Sequence, residues 1–282
     1  NKNSGSVAGG NDAGGIAGVV YNAANVTGNE NTAATITAAT FAGGIVGSMQ
    51  FSETVGGNLP QQTVNVENNI STTTLDNISA NCKHLFAYDN SSGTQDGEIV
   101  NNSDAWVAQI GADKYTTLQT AINTAADGDT ITVLTDVELT EKLLVTADDE
   151  IIIDLNGKTV SYETTESKAD DMIVNKGILT ITDSSEEQNG KLSYKYIGNA
   201  DSSYSYDNAT IQNEGTLTIE AGTVENTTAA MSHASYAINT NAGATLNVKG
   251  GRILNLNGHA IRQVSFGTAA NTVNISGGYI EG

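Results

Sequence analysis

Thr216-Leu217-Thr218-Ile219-Glu220-Ala221-Gly222-Thr223-Val224-Glu225 reads as a short alternating strand, a glycine corner and a second short strand. Apolar residues stand at every second position, the period of a pleated strand with one buried face. The unit recurs. Ile178-Leu179-Thr180-Ile181-Thr182 precedes Gly190-Lys191-Leu192-Ser193, Thr245-Leu246-Asn247-Val248-Lys249 precedes Gly251-Arg252-Ile253-Leu254, and Thr272-Val273-Asn274-Ile275-Ser276 precedes Gly278-Tyr279-Ile280-Glu281. Ile151-Ile152-Ile153-Asp154-Leu155, followed by Asn156-Gly157 and Lys158-Thr159-Val160, is an earlier variant. Leu179, Leu217, Leu246 and Val273 are then equivalent, at steps of 38, 29 and 27 residues. An antiparallel sandwich also alternates strands and turns, but it does not require each unit to resemble the last. Stacked rungs do, because each packs on its neighbour. The repeats therefore predict an all-β parallel β-solenoid, with Leu179/Ile181, Leu217/Ile219, Leu246/Val248 and Val273/Ile275 as inward ladders.

Upstream of these units the period changes. In Tyr115-Thr116-Thr117-Leu118-Gln119-Thr120-Ala121-Ile122-Asn123-Thr124-Ala125, the residues Leu118, Ala121, Ile122 and Ala125 fall on one helical face. A single N-terminal capping α-helix near 115–126 is expected, covering the open end of the stack. The first part of the chain carries another repeat. Ala13-Gly14-Gly15-Ile16-Ala17-Gly18 recurs as Ala42-Gly43-Gly44-Ile45-Val46-Gly47, 29 residues on. This is a smaller glycine-rich β-repeat region, residues 1–103 including a linker. The polar stretch from Ser91 to Asp104 sets the boundary, and the β-helix occupies residues 104–282.

Composition agrees and excludes several classes. The chain has 282 residues, 31 of them Asn, 35 Thr and 30 Gly, with a hydrophobic fraction of 38%; average globular chains have about 45–50%. Thr favours strands, and Asn and Gly favour turns. Acidic residues outnumber basic ones 32 to 12, for a net charge of -20. Arg252 and Arg262 are the two arginines. Nucleic-acid binding, which needs cations to displace counterions, is excluded, as is attachment to an anionic membrane. No run is long enough to span a bilayer, so no membrane insertion is expected. Cys82 is a lone thiol, so no intrachain disulfide forms. Low Cys, Lys and Arg with high Thr, Asn and Gly point to an extracellular or cell-surface bacterial protein. A chain starting at Asn1 rather than Met is read as a mature or excised piece of a longer array.

The glycine-rich pair, Gly14 to Gly18 and Gly43-Gly44-Ile45-Val46-Gly47, resembles the GLUG motif of large bacterial surface adhesins and some secreted peptidases. It covers about residues 1–85. Tyr115-Thr116-Thr117-Leu118-Gln119, with Ala125-Ala126-Asp127-Gly128-Asp129-Thr130-Ile131, resembles the capping helix and first rung of the pectin-lyase-like superfamily. That resemblance extends through the repeats to residue 282 and implies a right-handed parallel β-helix. It implies a fold and a habitat rather than a chemistry.

Some pectin-lyase-like proteins cleave acidic polysaccharides, the lyases with acid-bound Ca²⁺ and an Arg or Lys base. The acid clusters here are Asp148-Asp149-Glu150, Asp170-Asp171 and Asp183 with Glu186-Glu187. All read as solvated corner turns. Surface calcium at one of them is the single cofactor left open. Arg252 and Arg262 have no evident acidic neighbours on the same face. His84, His233 and His259 are isolated and form no HExxH motif. No catalytic residue, resident cofactor or metal site is assigned. Eight N-x-S/T triplets, Asn226-Thr227-Thr228 among them, follow from the composition, and Asn is assigned mainly to turns. The candidate ligand-contact loop is built on tyrosine, which offers a ring face and a hydroxyl. It comprises Tyr194, Tyr196, Tyr204 and Tyr206, joined by His233 and Tyr236 from the next corner. The expected function is a non-enzymatic surface β-solenoid, an adhesin or stalk whose corner loops contact a host or neighbouring-cell glycan or protein. The alternatives are a carbohydrate-active β-helix lyase or hydrolase and a structural module of a larger surface peptidase.

Overall fold

The structure is a computed structural model. It describes residues 1–21, 24–50, 62–80, 82–87, 95–100, 102, 105–165, 171–198, 208–229, 235–264 and 269–282. The protein is all-β, with parallel pairing dominant. It divides into two compact units: Asn1–Trp106 with Lys114–Thr117, and Val107–Asp113 with Leu118–Gly282.

In the first unit the chain enters five small parallel sheets in a fixed order and then repeats that order. One pass runs through Lys2–Asn3, Val7–Ala8, Asp12–Gly14, Ala17–Tyr21 and Ala24–Thr27. The next runs through Glu30–Asn31, Ile36–Thr37, Phe41–Gly43, Val46–Gln50 and Gln62–Glu67. Ala13 pairs with Ala42 and Gly14 with Gly43, the register read from the 29-residue repeat. A third copy follows that the sequence hides. Lys83 pairs with Ala42 and His84 with Gly43. Ile45 N donates to Phe86 O (2.9 Å) just as Ile16 N donates to Ile45 O (2.9 Å). The glycines are steric: a Cβ on Gly15 would meet the Gly44 carbonyl, and one on Gly44 the Leu85 carbonyl. The third copy needs no glycine, because no described strand stacks on its far side. Leu85 stands there half exposed. The polar stretch placed at the domain boundary holds a strand, Gln95–Val100, paired in parallel with Gln62–Glu67. Val26, Ile45, Val46, Met49, Val64 and Val66 form this unit's main core.

In the second unit the chain rotates through three parallel sheets. The first contains Asp129–Val133, Glu150–Asp154, Ile178–Thr182, Thr216–Ile219, Thr245–Val248 and Thr272–Ile275 in adjacent order. The second contains Val137–Leu139, Thr159–Thr164, Lys191–Tyr196, Thr223–Asn226, Arg252–Leu254 and Tyr279–Glu281. Leu179, Leu217, Leu246 and Val273 pair in register, as do Ile181, Ile219, Val248 and Ile275. Leu179, Leu217 and Leu246 are each 0% exposed, a burial worth about 1.5–3 kcal/mol per side chain. Val160, Leu192, Val224, Ile253 and Ile280 form a matching column on the second sheet. Gly222, Gly251 and Gly278 turn successive corners with φ of 78°, 70° and 87°, a region costly for a side chain.

The third sheet escaped the sequence reading. It contains Leu143–Val145, Ile173–Asn175, Ala209–Asn213, Tyr236–Thr240 and His259–Gln263, with Ile173, Ile211, Ile238 and Ile261 in register. The helix is Leu118–Thr124, shorter than the expected 115–126 span, and it buries Leu118, Ala121 and Ile122. Gln119 completes the edge of the first third-sheet strand. Its side-chain amide donates to Leu144 O (3.0 Å) and its carbonyl accepts from Leu144 N (2.8 Å).

Candidate functional site

The tyrosine-rich corner lies between the second and third sheets. Three successive passes make long connections there, over residues 165–172, 197–208 and 227–235, whereas the next pass crosses with 255–258. Register brings their roots together: Lys191–Tyr196 pairs with Thr223–Asn226, and Ala209–Asn213 with Tyr236–Thr240. The insertions carrying the candidate residues therefore leave from neighbouring strands. Tyr204, Tyr206 and His233 lie outside the described residues.

Tyr194 and Tyr196 stand on a strand rather than in a loop, at alternate positions of Lys191–Tyr196, with rings 0% and 4% exposed. Alternation sends both to the inner face. Tyr162 pairs with Tyr194 in register, their ring centroids 6.1 Å apart and tilted by 55°, within the range of favourable aromatic pairs. Tyr236 is also buried. His259 stacks on its ring at 5.9 Å with a 13° interplanar angle, and the Arg262 guanidinium lies 4.8 Å from the ring centre. Arg252 sits over Tyr279 in the same way, at 4.9 Å. Both arginines thus lie on aromatic faces, where a cation is attracted by the ring quadrupole.

The polar groups at the roots hold backbone. Asn226, 2% exposed, donates to Tyr236 O (2.9 Å) and accepts from Thr228 N (3.0 Å), tying the second sheet to the third. The Thr228 hydroxyl accepts from Tyr196 N (3.0 Å). Sequence reasoning treated Asn226 as one of many triplet asparagines; its spacing carries no signal of burial.

Of the acid clusters, Asp148-Asp149-Glu150 and Glu186-Glu187 lie at the surface as expected of solvated turns, whereas Asp171 and Asp183 do not. Asp171 is 5% exposed and accepts from Ala209 N (2.7 Å). Asp183 is 2% exposed and accepts from Gly157 N (2.8 Å), Gly190 N (2.6 Å) and the Ser185 hydroxyl (2.7 Å). Burial pushes the Asp183 pKa upward. The hydrogen bonds from Ser185, Gly157 and Gly190 outweigh it and hold the carboxyl below its ordinary range. Asp154, one pass earlier, accepts from Ser184 N (2.8 Å) and the Ser184 hydroxyl (2.6 Å). These carboxylates pin one corner to the next. Among the described residues, no group of three or more His, Cys, Asp or Glu side chains is placed to hold a metal ion.

No family model, curated protein or solved structure matches this chain.

Proposed function

We propose that this chain is a non-enzymatic scaffold of a bacterial cell-surface or secreted protein, an adhesin or stalk segment. Its second unit is a right-handed parallel β-solenoid closed by the helix Leu118–Thr124, preceded by a smaller glycine-rich β-repeat unit of the GLUG kind. The observation that carries the reading is the unbroken rotation through three sheets with aliphatic columns in register. A fold of that design spends its sequence on repetition and offers variety at corners. The corner with the long insertions is the contact surface, presented to a glycan or protein. The buried tyrosines form its rigid base, and residues 197–208 and 227–235 supply the contacts.

The test is a glycan and host-protein binding screen, run beside a depolymerisation assay on uronate polysaccharides with and without Ca²⁺. Binding that weakens in Tyr204→Ala, Tyr206→Ala and His233→Ala supports the reading. Clear turnover overturns it in favour of a carbohydrate-active enzyme. Tyr196→Ala is a poor probe, because emptying a buried aromatic site costs about 3–5 kcal/mol by itself.

A further inference from the structure

Asparagine followed by glycine is a chemically reactive pair, because no side chain shields the glycine nitrogen from the asparagine amide. The pair stands at Asn156-Gly157, Asn189-Gly190 and Asn257-Gly258. At the first two, the stacking of passes demands the glycine. A Cβ on Gly190 would meet the Leu155 side chain and the Asp183 carboxylate, and Gly157 turns its corner with φ of 72°. One buried carboxylate holds both. Gly157 N donates to Asp183 Oδ1 (2.8 Å) and Gly190 N to Asp183 Oδ2 (2.6 Å). The Asn156 side-chain amide is tied as well, donating to Val133 O (3.0 Å). Asn189 is exposed, and its amide donates outward to the surface residue Glu187 (3.2 Å).

We propose that Asn189-Gly190 is a latent deamidation site, which the Asp183 carboxylate keeps shut in the folded chain. Deamidation begins when Gly190 N gives its proton to hydroxide and attacks Asn189 Cγ. The new C–N bond displaces Asn189 Nδ2, which takes a proton from water and leaves as ammonia. Water then adds to either carbonyl of the cyclic imide and reopens it, to aspartate or isoaspartate. In the imide, Cγ occupies the position that the N–H proton held. Here that position faces Asp183 Oδ2, so the carboxylate stands where Cγ must come. Its charge also opposes a nitrogen anion beside it, and a hydrogen bond to a charged group is among the strong ones. The product carries a further negative charge near Glu187. Isoaspartate also lengthens the backbone by a methylene, in a corner where Gly190 has no room for one. A corner that stays open long enough to react is thereby kept from closing on Asp183 again.

Peptide mapping by mass spectrometry of the whole chain, aged at mildly alkaline pH, tests this. In the parent, Asn189 should convert ~10-fold or more slower in the folded chain than in urea, the scale of a hydrogen bond to a charged group. Asp183→Ala should speed conversion in the folded chain ~10-fold or more, for the same reason, and leave the rate in urea unchanged. Asp154→Ala controls for mere loosening of the corner, since Asp154 accepts from Asn156 N, Ser184 N and the Ser184 hydroxyl rather than from a glycine. It should leave Asn189 at the parent rate. Asn257 is the internal control: Gly258 N donates to Asn255 O (3.4 Å), and its conversion should be the same in all three chains. Circular dichroism checks that each variant stays folded. A parent that converts Asn189 equally fast folded and in urea overturns the proposal, whether or not Asp183→Ala folds. So does a folded Asp183→Ala chain that keeps the parent rate, or an acceleration that Asp154→Ala or Asn257 shares.

Discussion

Asn69 is fully buried, accepts from the Asn29 amide (2.9 Å) and donates to Asn102 (2.9 Å), while Asn1 donates to Asn29 (3.0 Å). Four asparagines from successive passes of the first unit thus form one hydrogen-bonded ladder, each amide serving the next. Low local dielectric makes such a network strong when complete and costly when broken. Asn69→Ala should lower stability by about 1–3 kcal/mol, since it leaves a buried donor without its acceptor. Asn25→Ala, at an exposed rung, should stay within about 0.5 kcal/mol. Urea denaturation of the two variants separates the cases. Asp183 gives a pH signature. Its folded pKa lies below the unfolded value, so its contribution is present above the ordinary carboxyl range and is lost as pH falls through the folded pKa. Asp183→Asn should therefore flatten the acid limb of the stability–pH curve, as followed by circular dichroism. An acid limb unchanged from the parent would count against the corner network.

At the scale of elements, the glycine pairs and the helix carry the sharpest tests. A Cβ at Gly44 would meet the Leu85 carbonyl and the Ser71 side chain, whereas one at Gly10 would meet nothing. Gly44→Ala should cost about 1–3 kcal/mol or more through forced backbone movement. Gly10→Ala should be close to neutral, and thermal melts compare them directly. The third copy, His84-Leu85-Phe86-Ala87, marks the limit of motif reading. Gly15 and Gly44 stand where the next pass comes close, and the copy beyond which no described strand stacks lacks the signal. The helix was legible from its period, but Gln119 was not. Its pairing with Leu144 depends on a strand 25 residues away. Gln119→Ala should cost about 0.5–1.5 kcal/mol and speed amide exchange at Leu144, the readout specific to an uncovered edge.

Across the second unit, stability should grade along the stack. Each strand packs mainly on its two neighbours, so interior passes gain from both sides and Thr272–Ile275, beyond which no described strand pairs, from one. Leu217→Ala, in the middle of its column, should cost about 2–5 kcal/mol. The equivalent Val273→Ala, at the partly exposed end, should cost much less. Hydrogen exchange should protect Thr216–Ile219 more strongly than Thr272–Ile275. Equal protection along the first sheet would argue against nearest-neighbour stacking.

Alternation in Leu217-Thr218-Ile219 determined which side chains face inward, and recurrence of the unit determined which strands stand side by side; both follow from the two-residue pleat and from stacking like upon like. The first two aliphatic columns, the helical face and the 29-residue register of the first unit were therefore readable from residues alone. Tertiary structure decided the rest. Ile173, Ile211, Ile238 and Ile261 form a column only once the intervening connections are placed, because variable loops erase their spacing. Burial separated Tyr194 and Tyr196 from a surface loop, and Asn69, Asn226 and Asp183 from solvated turns. A polar side chain in sequence carries no mark of whether water or a neighbouring backbone will satisfy it. Only the stacking of one pass on the next supplies those partners.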